Sequence, residues 1–499
     1  MNQNMILDAL LRDTEVLNRS GGTGQEVLGL AYDSRQMKPG WLFFAIQGER
    51  DDGHRFIDDL IRGGAAGVVS ERPAPKRFPA AWIQVRAIRR ALAEIGRAFF
   101  DYPDLKLKLA GITGTNGKTT TSHLLHSIFQ AAGYKTGLFG TIEYRLNGRI
   151  IPAHHTTPES LDLLGYFAEL AQAGGQAAVM EVSSHALAQD RVWGFRFAAA
   201  VFTNLTGDHL DYHKDFDHYF AAKRRLFEGA GAPTPELGVI NLDDTWGRKL
   251  LEVKQPRQIT YGVESEAQVK VRHFSQGAEG IRASISGLGG KLEIVSQLMG
   301  RANLENILAA VATAEGLGIP AKAIQEGVAA LRQVPRRFER IDEGQPFIVL
   351  VDYAHTHDAL RNALKISREL TRNRLIVLFG CGGDRDRTKR PLMGEAAGAL
   401  SDLAVLTSDN PRNEDPILIM NDAMVGLQKS GKPYLAEVDR EKAIRVALER
   451  AHEGDVVLLA GKGHETYQVL KDRTIPFDDR EVARRVLDEI GFRKEKGGK

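Results

Sequence analysis

The sequence predicts an α/β protein of three domains: an N-terminal α/β domain, a central P-loop ATPase on a parallel sheet and a C-terminal Rossmann-like domain. Three observations carry that expectation. The chain has 499 residues, about three domains by length. In its last third, apolar segments of strand length alternate with helical segments, the pattern of a parallel sheet. Near residue 114 a glycine-bearing turn joins a strand to a helix in the manner of a nucleotide triphosphate site.

Composition sets the outer limits. Hydrophobic residues make up 43% and charged residues 26%, a globular balance, and no apolar run is long enough for a transmembrane segment. No basic stretch followed by an apolar one opens the chain, so no secretory signal is expected. The single cysteine, Cys381, excludes an internal disulfide and a cysteine-based zinc site, which suits a reducing cytosol. Lys plus Arg total 66 against 64 for Asp plus Glu, a net charge of +2, so nothing points to a nucleic-acid partner.

Residues 1–104 mix short strands and helices without a catalytic cluster. Pro39-Gly40 marks a turn, Trp41 to Ile46 a buried strand, and Gly48 to His54 a polar loop. Ile57 to Ile61 begin a helix that stops at Gly63-Gly64. Asp33-Ser34-Arg35 reads, on residue chemistry, as a polar turn.

Residues 105–333 open with Leu105, Leu107 and Leu109 alternating with lysines, a strand that continues to Thr113. Gly114-Thr115-Asn116-Gly117-Lys118-Thr119-Thr120 follows. Leu124, Leu125, Ile128, Phe129 and Ala132 then fall at helical spacing, and Gly133 stops the helix. Glycine lets the backbone turn its N–H groups toward phosphate oxygens, and the helix N-terminus adds its dipole. Lys118 supplies a charge and Thr119 a hydroxyl for Mg2+. Strict Walker spacing would put glycine at 112, where Ile112 stands, so this is a variant P-loop. The plainer alternative is a glycine-bearing turn.

Further along, Lys135 to Gly140 is strand-like, and Thr157 or Ser160 is placed to cap the next helix. The apolar strand Ala177 to Met180 ends in Glu181, where a P-loop ATPase carries its second Mg2+ contact; the alternative is a solvated strand end. A strand at Val201 to Asn204 delivers Asp208 to His213 into a loop. His209 and His213 have the spacing of a helical zinc pair, but no Glu follows the first His. A Mg2+ or phosphate role for His209 is therefore preferred. Lys223 lies on an amphipathic helix, Tyr219 to Phe227, and by itself reads as a solvated lysine. Asn303 is a helix cap or a base contact, and Val334-Pro335 ends the region.

Residues 334–499 carry four apolar strands, Phe347 to Val351, Leu375 to Phe379, Leu403 to Thr407 and Val456 to Ala460. Ligands of such sheets gather beyond the carboxyl ends of the strands. The first end bears Asp352-Tyr353-Ala354-His355. The second bears GCGGDRDRTKR at 380–390, which lacks GxGxxG and so disfavours a dinucleotide. Asp409 to Pro416 follow the third and Gly461-Lys462-Gly463-His464-Glu465 the fourth. Asp, Arg, Arg and Glu at one edge suit a zwitterion, since Arg pairs with carboxylate and Glu with ammonium. No repeat, heptad or low-complexity segment appears, and only 493–499 reads as a frayed tail.

Together these motifs resemble the Mur ligases over essentially the whole chain. The carriers are TGTNGKTT at 113–120, HTTPES at 155–160, EVSSHALAQDRV at 181–192, TNLTGDHLDYH at 203–213 and RRFERID at 336–342. DYAH at 352–355, GCGGDRDRTKRP at 380–391, DNPRNEDP at 409–416 and GKGHETYQ at 461–468 complete the set. Within the family, DNPR is associated with meso-diaminopimelate, not L-lysine, as the amino acid added in peptidoglycan synthesis.

The resemblance implies an N-terminal domain that binds UDP through Ser34, Glu49, Arg50 and Asp51. It implies a muramoyl dipeptide held by His155, Thr156, Thr157, Ser183, Gln189 and Arg191. ATP would lie on Gly114, Thr115, Asn116, Gly117, Lys118, Thr119 and Thr120, with Asn303, Arg337 and Asp352 as base, phosphate and ribose contacts. Thr119, Glu181, His209 and Lys223 would hold Mg2+, with Lys223 carbamylated and so converted from an ammonium to an anionic ligand. Lys118, Lys223 and His209 would serve catalysis. Arg385, Asp409, Asn410, Pro411, Arg412, Gly461 and Glu465 would form the diaminopimelate pocket. Where the family usually has Pro, this chain has His357, and a changed loop is expected there.

The implied reaction transfers the γ-phosphate of ATP to the D-glutamate γ-carboxylate, and the diaminopimelate amine then displaces phosphate from the acyl phosphate. One alternative is the same ligase fold with L-lysine or a folylpolyglutamate acceptor; DNPR and the N-terminal region argue against it. A P-loop nucleotide switch is a second; it would release phosphate without the other substrates. A non-catalytic sugar-nucleotide scaffold is disfavoured by the intact Gly117-Lys118-Thr119. A monomer in the cytoplasm, acting on small molecules only, is expected.

Overall fold

The computed structural model covers residues 5–48, 51–277, 279–335, 338–463 and 465–493, with the side chains of Leu210 and Asp211 left aside. Expectations for Glu49, Arg50, Arg337, His464 and the tail at 494–499 lie outside the described residues. The chain divides into two compact units. One is Met1–Arg272 with Ser284–Glu293 and Glu305–Val328; the other is His273–Ala283 with Ile294–Leu304 and Ala329–Lys499.

The first unit contains two large sheets and a two-stranded one, Met5–Ile6 with Glu26–Val27. Strands β1 (Val16–Ser20), β2 (Gly29–Ala31), β3 (Trp41–Phe44), β4 (Gly67–Ser70) and β5 (Ala81–Val85) lie in the order β1-β5-β4-β3-β2, with β1 alone antiparallel. Helix α1 (Ile88–Phe99) buries Ile88, Leu92, Ile95 and Phe99 against this sheet's core, a stripe at helical spacing.

The second sheet is entered through β6 (Lys108–Thr113), which is shorter than the leucine–lysine alternation predicts. Pro103–Lys106 form a 3-10 turn and Leu105 is exposed. Asp104 holds that turn, accepting from Arg97 Nε and Nη2, both at 3.0 Å, and from the Arg196 N–H at 3.2 Å. Next come α2 (Lys118–Ala131), β7 (Thr136–Phe139), β8 (Glu143–Leu146), β9 (Arg149–Pro152), α3 (Ser160–Gln172) and β10 (Ala177–Glu181). They are followed by α4 (Ser184–Ala188), β11 (Ala199–Phe202), α5 (Phe216–Phe227), β12 (Leu237–Asn241) and β13 (Arg257–Gly262). Eight strands of an eleven-stranded sheet run β9-β8-β7-β10-β6-β11-β12-β13, and the six from β7 to β13 are parallel. Strands β10, β11 and β12 are buried throughout, which explains why they read as continuous apolar runs. A Cβ on Gly96 of α1 would lie 2.9 Å from Leu164 of α3, so this glycine sets the close approach of the two helices.

In the second unit, β14 (Glu339–Ile341), β15 (Ile348–Asp352), α6 (His357–Leu370), β16 (Leu375–Cys381), α7 (Lys389–Leu400) and β17 (Leu403–Ser408) come first. They lead to α8 (Pro416–Lys429), β18 (Tyr434–Ala436), α9 (Arg440–Glu449), β19 (Val456–Ala460) and α10 (Asp479–Glu489). The sheet order is β14-β15-β19-β16-β17-β18, parallel except for β14. Leu360, Met393 and Ile419 pack in one core and Ile444, Val482 and Val486 in another, so both faces are covered as in a doubly wound fold. Among the described residues no helix is long and apolar enough to cross a membrane.

Candidate active site

Strand β6 and helix α2 meet at Gly114 to Gly117. Gly114 has φ 149° and Gly117 φ 86°. A Cβ on Gly114 would lie 1.9 Å from Thr203 Oγ1, and one on Gly117 2.2 Å from Asn306 Oδ1, so neither position admits a side chain. Residues 203–204 brace the loop. Thr115 N–H donates to Asn204 O at 2.8 Å, Asn116 N–H to Asn204 Oδ1 at 2.9 Å, and Thr203 Oγ1 to Asn116 O at 2.6 Å. Ile112, at the irregular Walker position, is a buried residue of β6. The turn therefore falls to Gly114 and Gly117.

Lys118 Nζ donates to Gly114 O and Thr115 O, both at 2.8 Å. Lys223 Nζ reaches the same Gly114 O at 2.8 Å and sits 4.4 Å from the centre of the Tyr219 ring. Lys223 is 1% exposed, which corrects its reading as a solvated lysine. Helix α5 turns Tyr219, Lys223, Leu226 and Phe227 inward together, so Lys223 belongs to the apolar stripe. Burial first, and the Lys118 charge second, hold its amine well below the ordinary lysine pKa.

Glu181 ends β10 beside β6 and is 1% exposed, not a solvated strand end. Its Oε1 accepts from Thr141 N–H at 2.9 Å and its Oε2 from Thr141 Oγ1 at 3.0 Å. Thr156 Oγ1 lies 3.1 Å from Thr141 Oγ1. Thr157 does not cap α3. It donates from Oγ1 to Glu181 O at 2.8 Å and accepts from Ser183 N–H at 3.1 Å, a long-range bond that outcompetes the local one. Glu159 is the N-cap residue, without a side-chain cap, and Ser160 begins the helix. Ser183 caps α4, accepting from Ala186 N–H at 3.1 Å. Arg191 donates to Thr157 O at 2.9 Å and to Gln189 Oε1 at 2.8 Å. His155 enters through its carbonyl, which accepts from Tyr144 at 2.6 Å. The structure thus brings Thr156, Thr157, Glu181, Ser183, Gln189 and Arg191 to one strand end.

His209 has φ 54°, and its Nε2 lies 3.3 Å from Asp208 Oδ2. His213 Nε2 is 2.9 Å from Ser184 Oγ. Both rings pack on His185, at 4.8 and 5.4 Å between centroids. Among the described residues no three His, Cys, Asp or Glu are grouped to hold a metal. The Glu181 carboxylate and the buried Thr119 hydroxyl are hard oxygen donors, and one or two such groups beside phosphate oxygens and water are what Mg2+ takes. The donor chemistry therefore fits that ion.

In the first sheet, Ser34 opens a 3-10 turn capped by Asp33, whose side chain accepts from Arg35 N–H. Two residues earlier, Tyr32 donates to Asp162 of α3 at 2.6 Å, which joins that loop to the second sheet. Asp51 is exposed and lies 3.5 Å from Arg55.

In the second unit, Asn303 Nδ2 donates to Met299 O at 2.7 Å, and Asp352 Oδ2 accepts from Phe338 N–H at 3.1 Å. His357 is the first residue of α6, capped by Thr356, a position whose N–H needs no helical partner, so His stands where Pro also fits. The carboxyl ends of β16, β17 and β19 converge on a polar pocket. Asn410 Nδ2 donates to Glu465 Oε2 at 2.7 Å, and Asn410 Oδ1 accepts from Lys462 Nζ at 3.0 Å. Lys462 also stands 3.6 Å from Asp409 and 3.4 Å from Glu465. Arg412 takes the left-handed φ of 52°, held by its N–H on Val469 O at 3.1 Å and by Nη1 on Gly383 O at 2.8 Å. Pro411 is buried against Gly383, whose added Cβ would meet Pro411 O at 1.9 Å. A Cβ on Gly461 would meet Asp409 Oδ2 at 2.7 Å. Arg385 is exposed at the rim, and Gly382 is flanked by Arg412 and Arg385.

Residue-by-residue reading missed Lys462, Arg390 and Glu159. Arg390 is buried and ties Glu414, at 2.7 Å, to Asp422, at 2.9 Å, under the 380–390 loop. Lys462 carried a signal in its two flanking glycines, both with positive φ, which let the backbone fold around a buried side chain.

Three family models match the chain. The Mur ligase family catalytic domain matches residues 26–100, the Mur ligase middle domain 112–314, and the Mur ligase glutamate ligase domain 336–463. A UDP-N-acetylmuramoyl-L-alanyl-D-glutamate--2,6-diaminopimelate ligase from Solibacter usitatus (strain Ellin6076) is 55% identical over 467 residues, 94% of each chain. A solved structure of a ligase with that name superposes with a TM-score of 0.73 at 32% identity, over 98% of this chain and 99% of the other. MurF ligase from Thermotoga maritima, solved in complex with ADP, shares the fold at a TM-score of 0.59 and 20% identity, over 92% of this chain and 96% of its own.

Proposed function

The chain belongs to the Mur ligase family, and from that premise we propose that it joins meso-diaminopimelate to UDP-N-acetylmuramoyl-L-alanyl-D-glutamate. It is an ATP-dependent ligase of peptidoglycan synthesis. The choice of amino acid is carried by one observation, the pocket in which Asn410 links buried Lys462 to Glu465 beside Arg412.

The loop from Gly114 to Thr120 takes the triphosphate on its N–H groups and Lys118, with Asn303, Arg337 and Asp352 on the rest of ATP. His155, Thr156, Thr157, Ser183, Gln189 and Arg191 take the dipeptide; Ser34, Glu49, Arg50 and Asp51 take its UDP. Thr119, Glu181, His209 and a carbamylated Lys223 would hold Mg2+. That ion, when bound, neutralises phosphate charge. In its neutral form, which burial favours, the Lys223 amine is a nucleophile for CO2: nitrogen bonds to carbon, a proton leaves, and the side chain becomes an anion.

A carboxylate is a poor acyl donor, so the γ-phosphoryl group passes first to the D-glutamate γ-carboxylate. The diaminopimelate amine then attacks the acyl carbon, and phosphate departs. Arg412 and Arg385 pair with the distal carboxylate and Glu465 with the distal ammonium, the group Asn410 and Asp409 also face. Lysine lacks that carboxylate, and a site built for a polar group rejects an analogue without it by roughly 10^4-fold. We also place domain boundaries near residues 104 and 333, and propose a cytoplasmic monomer with no nucleic-acid partner.

Incubation with ATP, Mg2+, the UDP-muramoyl dipeptide and either diaminopimelate or lysine, followed by mass spectrometry, tests this reading. One diaminopimelate residue should be added, with phosphate release dependent on both substrates. Equal addition of lysine would overturn the specificity, and phosphate release without either substrate would indicate a nucleotide switch.

A further inference from the structure

We propose that Glu159 is a positioning residue for the muramoyl dipeptide, fixing the Arg191 guanidinium and tying it to Arg89 on helix α1. The proposal rests on the assignment of Arg191 to that substrate. Glu159 is 8% exposed. Its Oε1 accepts from Arg89 Nη1 at 2.5 Å and stands 3.1 Å from Arg191 Nε. One carboxylate oxygen thus serves two guanidiniums, Arg89 from helix α1 and Arg191 from the turn after α4. The Nη groups of Arg191 lie on two neutral acceptors, Thr157 O and Gln189 Oε1. Glu159 is the only carboxylate in an ion pair with Arg191 among the described residues.

Helix α1 also carries a purely structural pair, and the contrast is informative. Arg97 meets Asp104 through two bonds of 3.0 Å, and Asp104 takes a backbone N–H besides. Such an arrangement satisfies both charges. In the Glu159 cluster, by contrast, Oε2 and Arg191 Nε are buried without a hydrogen-bond partner among the described residues. Leaving buried charged atoms short of partners is unfavourable, so fold stability alone does not account for this cluster. Asp162 also lies within electrostatic range of Glu159 and Arg191, so the feature that sets this cluster apart is its unsatisfied buried atoms and not its net charge. Glu159 holds Arg191 by its Nε edge and so fixes the direction of the Nη groups, whose acceptors are neutral.

The test is steady-state kinetics with the full-length enzyme. Glu159→Gln, of the same shape, should raise KM for the UDP-muramoyl dipeptide about 10- to 100-fold, as a group misplaced by about 1 Å does, with kcat and the KM for ATP nearly unchanged. Glu159→Asp should recover part of the loss. Adding Glu159→Gln to Arg191→Lys should do little more than Arg191→Lys alone, because Glu159 acts through Arg191. An unchanged dipeptide KM in Glu159→Gln would overturn the proposal. So would a parallel rise in every KM with a lowered unfolding midpoint, which marks a structural role. If Arg191→Lys and Arg191→Ala both leave the dipeptide KM unchanged while folding normally, the assignment of Arg191 itself fails, and that result is distinct from a failure at Glu159 alone.

Discussion

Lys223 in the first unit and Lys462 in the second are equally withdrawn from water, at 1% and 0% exposure, yet their surroundings differ in kind. Lys223 meets a carbonyl, an aromatic ring and the charge of Lys118, and among the described residues no ion pair reaches it. Lys462 meets two carboxylates, an amide oxygen and a carbonyl. Burial alone therefore does not determine what a lysine is for. Without an ion-pair partner, burial and the Lys118 charge outweigh the Asp208 charge and favour the neutral amine that covalent chemistry needs. With carboxylates around it the same side chain is a strut that sets the shape and charge of a pocket.

Replacing each lysine by methionine tests this contrast directly, and the largest effect is expected at Lys462. Lys462→Met removes the cation that ion-pairs with both Asp409 and Glu465. Breaking a buried pair in this way is expected to destabilise by about 3–5 kcal/mol, seen as a lower urea midpoint. A wild-type midpoint would show that Lys462 is no strut. In Lys223→Met the balance reverses: removing a buried amine that has no ion-pair partner among the described residues leaves stability equal or higher. There kcat should fall by about 10^2- to 10^3-fold, the loss typical of one electrostatic stabiliser. Retained turnover with lost stability would make the two lysines alike.

Much of the fold was legible in the sequence, while the contrast between these lysines was not. The P-loop, the strand ends at Glu181, Asp352, Asp409 and Gly461, and the alternating last third follow from local spacing, and each was found within a residue or two. Lys223 was misread because α5 looks amphipathic with lysine on its polar side, and only the carbonyl of Gly114, 109 residues away, reveals where it points. Thr157 was misread for the same reason, its partner Glu181 lying 24 residues on. Lys462 sits between two glycines, which by local rules means a loop; its burial depends on Asn410, 52 residues before it. Periodicity records which face is buried, not which distant polar atom waits there.

A smaller effect sharpens the difference within the second unit. Arg412→Ala removes a guanidinium whose acceptors, among the described residues, are carbonyls of its own pocket, so its charge remains for a ligand. Loss of a charged hydrogen bond of about 1.5–3 kcal/mol predicts a KM for diaminopimelate raised roughly 10- to 100-fold, with nucleotide affinity unchanged. Calorimetric titration of both ligands separates the two. An unaltered diaminopimelate affinity would detach Arg412 from that pocket.

The smallest effect concerns pH and bears on Lys223 alone. In the unfolded chain its amine titrates near the ordinary value of 10.5, whereas in the folded protein burial lowers that value. Between the two, the unfolded chain binds a proton that the folded chain does not. Raising the pH through this window therefore removes a penalty on folding, and stability attributable to Lys223 rises, by at most about 1.4 kcal/mol per pH unit. Urea unfolding of the wild type and of Lys223→Met in CO2-free buffer, from about pH 7 to about pH 9, isolates this contribution from every other titrating group. The wild type should gain on the variant as pH rises. If the difference stays flat, Lys223 carries its proton in the folded state, the neutral amine that carbamate formation needs is missing, and the contrast with Lys462 loses its chemical basis.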